Sequence, residues 1–260
     1  MRGPYNRLVV RAVVALLLVL TALAPVADAA VAEARAAVDA FLARLGDVNI
    51  TDLVIDQTLT LFHPGGRHAQ SSGEQRVYVK LPRRQRVDQM IDGQREVRLT
   101  VADRMWVRTP DGKTFEAPPP GTRGDATHLL VPFRRTGADL LAEWKALGVR
   151  DDVTHTTRAG DRAITVIGAR PGERTVPQVW VDPDRGVVRF VTREKLPHGE
   201  GVVDLTFSEH RPLIGGFTLP YRQEAYVDGK LVVRVVVRSA AVNTGLDEAL
   251  FDPDALRRGR

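Results

Sequence analysis

The chain has 260 residues, no cysteine, 37 Lys and Arg against 32 Asp and Glu, and a formal net charge of +5. Without cysteine, disulfide staples, thiol catalysis and cysteine–zinc sites are excluded. The positive excess is small and scattered, which argues against nucleic acid as a partner. At the N-terminus, Arg2 and Arg7 flank and precede an apolar run, Leu8–Ala24, interrupted by Arg11, and Ala27-Asp28-Ala29 has the small-x-small form of a cleavage site. Residues 1–29 are therefore expected to be a cleaved signal peptide, leaving residues 30–260 as an exported domain without a lipid anchor. No other run approaches the ~20 apolar residues of a membrane-spanning helix.

Val31–Leu45 reads as a helix, with Val31, Ala34, Val38, Phe41, Leu42 and Leu45 at helical spacing and Gly46 as its stop. Strands follow over Leu53–Phe62, Gln75–Leu81, Gln85–Ile91, Arg95–Val101 and Arg104–Thr109, separated by turn residues such as Asp92-Gly93 and Pro110-Asp111-Gly112. Residues 117–135 are irregular, since three consecutive prolines exclude a regular helix or central strand. Inside that loop Leu129–Phe133 is an apolar island, which implies that it covers something. Thr136–Leu147 reads as a second helix, with Thr136 and Asp139 as a capping pair, Gly148 as its end, and Leu140, Leu141, Trp144 and Leu147 on one side.

A second run of strands covers Ala163–Ala169, Val176–Val181, Val187–Arg193, Val202–Ser208, Phe217–Val227 and Leu231–Ser239. The Asp228-Gly229 pair between the last two is a strong hairpin signal, because both central turn residues need positive φ. Leu246–Phe251 reads as a short helical turn, and Arg257–Arg260 as a disordered basic tail. The sum is a mainly β fold with a few helices. About 11 antiparallel strands should curl into a half-open barrel, with the loop and second helix as a lid over its concave face.

No enzyme motif is readable. G-x-S-x-G, H-E-x-x-H, the P-loop and the dinucleotide fingerprint are missing, and the chain is not expected to be an enzyme or to hold a cofactor or metal. His63 and His68 share a hairpin, and Asp182 and Asp184 flank Pro183; both sets read first as turn residues. Apolar positions of the barrel and lid are the candidates for a binding surface: Leu59, Leu61, Val77, Val79, Val97, Leu99, Phe133, Leu140, Trp144 and Phe207. Alternation alone leaves core and cavity lining equally open for each of them. Trp144 is expected to border the cavity and to be only partly packed.

Specific stretches carry a family resemblance. Gly73 with Val77-Tyr78-Val79-Lys80-Leu81-Pro82, then Val179-Trp180-Val181-Asp182-Pro183, Leu219-Pro220, Asp228-Gly229 and Val242-Asn243 through Phe251 resemble, in order, the LolA-type outer-membrane lipoprotein-sorting proteins. The broader group is lipoprotein-carrier-like and includes sigma-E regulatory sensors. The resemblance implies a periplasmic carrier whose concave apolar face holds a lipoprotein or lipid acyl chains. Such a carrier would act as a monomer, with no nucleic acid involved, between a transient inner-membrane donor and an outer-membrane acceptor protein. A sensor of the same fold is the alternative it leaves open. In the carriers an arginine before the corner proline latches the lid. Here that residue is Leu81, and the resemblance makes Arg84 or Arg86 the candidate latch.

Overall fold

The computed structural model describes residues 28–46, 48–63, 65–66, 68–118, 135–196 and 199–259. The expected signal peptide, apart from its last two residues, and the apolar island with Phe133 lie outside the described residues. Thirteen strands form one sheet. The first six are β1 (Asp52–Phe62), β2 (Ala69–Lys80), β3 (Arg84–Ile91), β4 (Gln94–Val101), β5 (Arg104–Arg108) and β6 (Thr114–Ala117). The other seven are β7 (Thr154–Ala159), β8 (Arg162–Ile167), β9 (Gln178–Asp182), β10 (Gly186–Leu196), β11 (Gly199–Ile214), β12 (Phe217–Val227) and β13 (Lys230–Val242). Each set is an antiparallel meander, and β1 pairs with β13 to join the two. The sheet therefore stays open between its edges β6 and β7, which makes it a half-open barrel.

The two strands beyond the expected number are those edges. β6 reads Thr-Phe-Glu-Ala and β7 reads Thr-His-Thr-Thr-Arg-Ala. β7 has no apolar alternation, because an edge strand has little core to face, and the alternation of β6 runs over only four residues. The hairpin turns behave as read. Asp92-Gly93 and Asp228-Gly229 have φ of 49° and 78°, and of 49° and 76°, the left-handed pair a two-residue hairpin turn needs.

Helix α1 covers residues 28–45 and ends at Gly46 with φ 55°. Its Ala34, Val38, Phe41 and Leu45 are buried. Phe41 lies over Gly186, where a Cβ would come within 2.5 Å of the ring, so the glycine admits the helix to the sheet. Helix α2 (Gly137–Ala146) has the expected capping box, with the Thr136 hydroxyl accepting from the Asp139 N–H and the Asp139 carboxylate from the Thr136 N–H. It lies in the connection between β6 and β7, the two edges of the opening.

After β13 the chain turns at Asn243, φ 56°, into a 3-10 turn (Glu248–Phe251) and helix α3 (Pro253–Arg257). Buried Asp52 fixes this exit, accepting from the N–H and hydroxyl of Thr244, both at 2.7 Å, and from the Gly245 N–H at 3.1 Å. Burial pushes the Asp52 carboxyl pKa up, but these hydrogen bonds outweigh it and hold it below the ordinary value. The residues read as a disordered tail are thus structured as far as Gly259, because three cations hold the segment's carbonyls. Lys80 donates to Leu246 at 2.6 Å, Arg86 to Leu250 at 3.3 Å and Arg108 to Leu256 at 3.1 Å.

Candidate functional site

Strand alternation and register decide which side chains share a face. On β1, Leu53, Ile55, Gln57, Leu59 and Leu61 point to the side that carries the two long helices. Ile55 pairs with Val77, and Val77 with Val87, so the inner face runs on through β2 and β3. At one end of this face a packed cluster joins Ala34, Val38 and Phe41 of α1 and Leu140, Leu141 and Trp144 of α2 to Leu53, Ile55, Val77, Val79, Phe190 and Phe207. Burying each large apolar side chain here contributes about 1.5–3 kcal/mol. The second helix therefore covers the inner face, as a lid should.

Trp144 is more deeply packed than the sequence suggested. It is 2% exposed, and its indole N–H has no hydrogen-bond partner. It belongs to the core beneath the lid rather than to a loosely packed rim.

Toward the other end of the same face the helices give out. Leu61 pairs with Val233, Val233 with Ala225 and Ala225 with Leu205, which makes an apolar row across β1, β13, β12 and β11. All four are half-buried, as is neighbouring Val235 beside buried Leu59. Leu61, Val233, Val235 and Ala225 stand outside the helix-packed cluster. Leu205 packs against that cluster, and the row leads from it through Ala225 and Val233 to Leu61 as accessible apolar surface on the inside of a half-open barrel.

A polar ladder separates the two zones on the β1–β4 side. Gln57 donates to Gln75 at 2.9 Å, Gln75 to Gln89 at 2.8 Å and Gln89 to Glu96 at 2.9 Å. Arg98 closes it with a hydrogen bond to Glu96 at 2.7 Å. Gln57 and Gln89 are each 8% exposed, so the ladder satisfies amides that burial would otherwise penalise. Nothing within any one strand marks these glutamines, and only the pairing register brings them into line, which is why sequence reading missed them.

The register also divides the residues that the sequence grouped. Val97 pairs with Asp88 and Leu99 with Arg86, while inner-face Val87 pairs with Arg98. Val97 and Leu99 therefore face outward. They form a second cluster with Trp106, Phe251 and Leu256, under the C-terminal segment. Their apolar alternation is real, but it serves the opposite face from Val77 and Val79.

Arg84 and Arg86 are likewise on the outer face. Arg84 ion-pairs with Glu248, and its guanidinium stands 5.9 Å from the Phe251 ring centroid. Arg86 is buried, donating to Asp88 at 2.6 Å and to the Leu250 carbonyl. The partners of both anchor the C-terminal segment, on the face away from α2, so the expectation that they latch the lid is corrected. Of the remaining candidates, Leu59, Leu61, Val77, Val79 and Phe207 lie on the inner face, with Leu140 and Trp144 of α2 against it.

The Asp182-Pro183-Asp184 turn is built as its sequence suggested. Asp182 is fully buried and accepts from the N–H of Asp184 at 2.8 Å and of Arg185 at 3.2 Å, and from Arg162 at 2.5 and 2.7 Å. Burial raises its pKa, but Arg162 and the two amides win and keep it below the ordinary carboxylate range. Among the described residues no group of three or more His, Asp or Glu could hold a metal ion. No helix among them is long and apolar enough to cross a membrane.

No protein-family model matches the chain, and no curated protein matches it by sequence. Solved structures do match. A candidate outer membrane lipoprotein-sorting protein domain from Vibrio parahaemolyticus superposes with a TM-score of 0.53 at 13% identity, over 84% of this chain and 95% of that one. A DUF1329 family protein from Desulfovibrio piger gives 0.54 at 14%, over 85% and 98%. A LolA superfamily protein from Nitrosomonas europaea gives 0.52 at 12%, over 85% and 98%. At such identities the likeness speaks for the fold, and the fold of this chain is the half-open barrel of the LolA-type lipoprotein-sorting structures.

Proposed function

We propose that this protein is a periplasmic carrier that holds the acyl chains of a lipid-modified cargo on its inner face and passes them toward the outer membrane. The observation that carries this reading is the half-buried row Leu61–Val233–Ala225–Leu205, apolar and accessible inside a half-open barrel. Acyl chains ask for contiguous apolar surface shielded from bulk water, and for no catalytic group. The fold likeness to a lipoprotein-sorting domain supports the same assignment. Helix α2 follows edge strand β6 and precedes edge strand β7 in the chain and packs on the inner face, where a lid admitting and releasing chains would act.

The test is mass spectrometry of protein purified from a native periplasm, joined to titration with a fluorescent acyl probe. Co-purifying lipid or lipoprotein, displaced by the probe and exchangeable with membranes, is the expected result. A protein that binds neither, or that forms a stable complex with an inner-membrane protein without exchanging lipid, would replace carriage with sensing or another role.

A further inference from the structure

The outer face holds a second feature that the carrier reading does not use. A cavity of about 230 Å³ opens between β3, β4, the β5–β6 turn and the C-terminal segment, and Arg86, Arg95 and Arg108 all line it. Asp88 is the carboxylate that answers two of them, taking Arg86 at 2.6 Å and Arg95 at 3.2 Å. Among the described residues, Arg108 meets no carboxylate. Its Nη1 donates to the carbonyls of Leu256 and Arg257, at 3.1 and 3.2 Å. Its Nη2 points along Gly112 and Gly259, which also line the cavity; a Cβ on Gly259 would stand 3.0 Å from that nitrogen and one on Gly112 3.5 Å. Bare backbone at both positions leaves the nitrogen open to the cavity.

We propose that this cavity binds a phosphate group. Three guanidiniums around one carboxylate leave an uncompensated positive charge in a partly enclosed space, and guanidinium forks match the tetrahedral oxygens of phosphate. Arg86 is fixed by burial, with its side chain 7% exposed, whereas Arg95 stands at the rim, 63% exposed, and can close on a ligand. The room exceeds that of a bare phosphate, so part of an attached moiety fits as well. The phosphate can come from a soluble phosphomonoester or from a lipid headgroup.

The experiment titrates the full chain with inorganic phosphate at constant ionic strength, with chloride as the control, following melting temperature and calorimetric heat. Phosphate should stabilise the protein beyond chloride. Arg95→Gln should weaken that binding about tenfold, the scale of one charge-assisted hydrogen bond, without shifting the melting temperature in phosphate-free buffer. Arg108→Lys provides a second variant and should weaken binding likewise. Phosphate no better than chloride, or both variants binding as the parent does, overturns the proposal. Glycerol phosphate and vesicles of phosphatidylglycerol or phosphatidylcholine identify the source. Binding to anionic vesicles that Arg95→Gln removes assigns a headgroup; binding to glycerol phosphate alone assigns a soluble ester. Neither result depends on what the inner face carries.

Discussion

Gln89 donates a 2.9 Å hydrogen bond to Glu96 across the β3–β4 pair, at the end of a ladder that starts from Gln57 two strands away. An amide ladder on the inside of a barrel fixes where apolar contact stops. It also fixes pairing register, since a one-residue slip would turn every glutamine to the outer face. The inner surface thus has a helix-packed apolar end and an accessible apolar end, with polar groups between them on the β1–β4 side.

Gln75 is the middle rung, and its removal tests the ladder. Gln75→Leu would leave the buried amides of Gln57 and Gln89 each without one partner. The expected cost is about 1–3 kcal/mol per stranded group, less any new apolar contact. Urea denaturation of Gln75→Leu beside Gln75→Glu measures it. Full stability in Gln75→Leu would show that the ladder is decorative.

Trp144→Ala should destabilise the protein by about 3–5 kcal/mol, the usual cost of a buried Trp. The cluster around Trp144, 2% exposed, has no loose side to absorb the cavity. Trp144→Phe should recover most of the loss, because the indole N–H makes no hydrogen bond that phenyl would forfeit. Equilibrium unfolding of the pair decides this; a Trp144→Ala protein as stable as the parent would place α2 off the core.

Much of the fold was legible in sequence because alternation and turn chemistry are local. The meanders, the hairpin at Asp228-Gly229 and the capping box at Thr136 needed only neighbours along the chain. What was not legible depends on register. Val97 and Val77 each sit in a clean apolar alternation, and nothing in either strand says that the two alternations serve opposite faces. Arg84 looked like a free cation near a corner because its partner Glu248 lies 164 residues later; Arg86 has Asp88 two residues on, but the Leu250 carbonyl that ties it to the C-terminal segment is likewise 164 residues away. The edge strands β6 and β7 were missed for the converse reason, since β7 carries no apolar pattern and that of β6 is only four residues long.

Stability should fall with acid in two stages. His210 is largely buried, and burial, reinforced by nearby Arg185 and only partly offset by Asp182, lowers its pKa to about 4 from an ordinary 6.5. The folded imidazole stays neutral while the unfolded chain takes up a proton, so stability declines as pH falls from 6.5 toward 4. Asp182 acts lower. Its folded pKa lies below the ordinary 3.8, so its ion pair with Arg162 contributes fully above 3.8 and is lost as pH drops further. His210→Gln should flatten the first stage alone, and Asp182→Asn should flatten the second while lowering stability at neutral pH. Thermal melts from pH 3 to 8 read both. A His210→Gln profile identical to the parent's between 4 and 6.5 would remove the imidazole from the account.

The last prediction uses the two faces of one strand. Val235 pairs with Leu59 on the inner face, and Val236 pairs with Thr58 on the outer face. Both are half-buried and one residue apart, so their substitution by glutamine costs comparable stability. Only the inner one touches the proposed acyl surface. Placing an amide there strands a polar group against hydrocarbon, which is worth roughly 1–3 kcal/mol; about 1.4 kcal/mol, in the lower half of that range, is a tenfold loss of affinity. Val235→Gln should therefore weaken a fluorescent acyl probe about tenfold, while Val236→Gln binds as the parent does. Equal binding in both variants means that the row is not the acyl surface. Equal loss in both means that the change acts through stability and not through contact, and circular dichroism of each variant at the titration temperature separates the two.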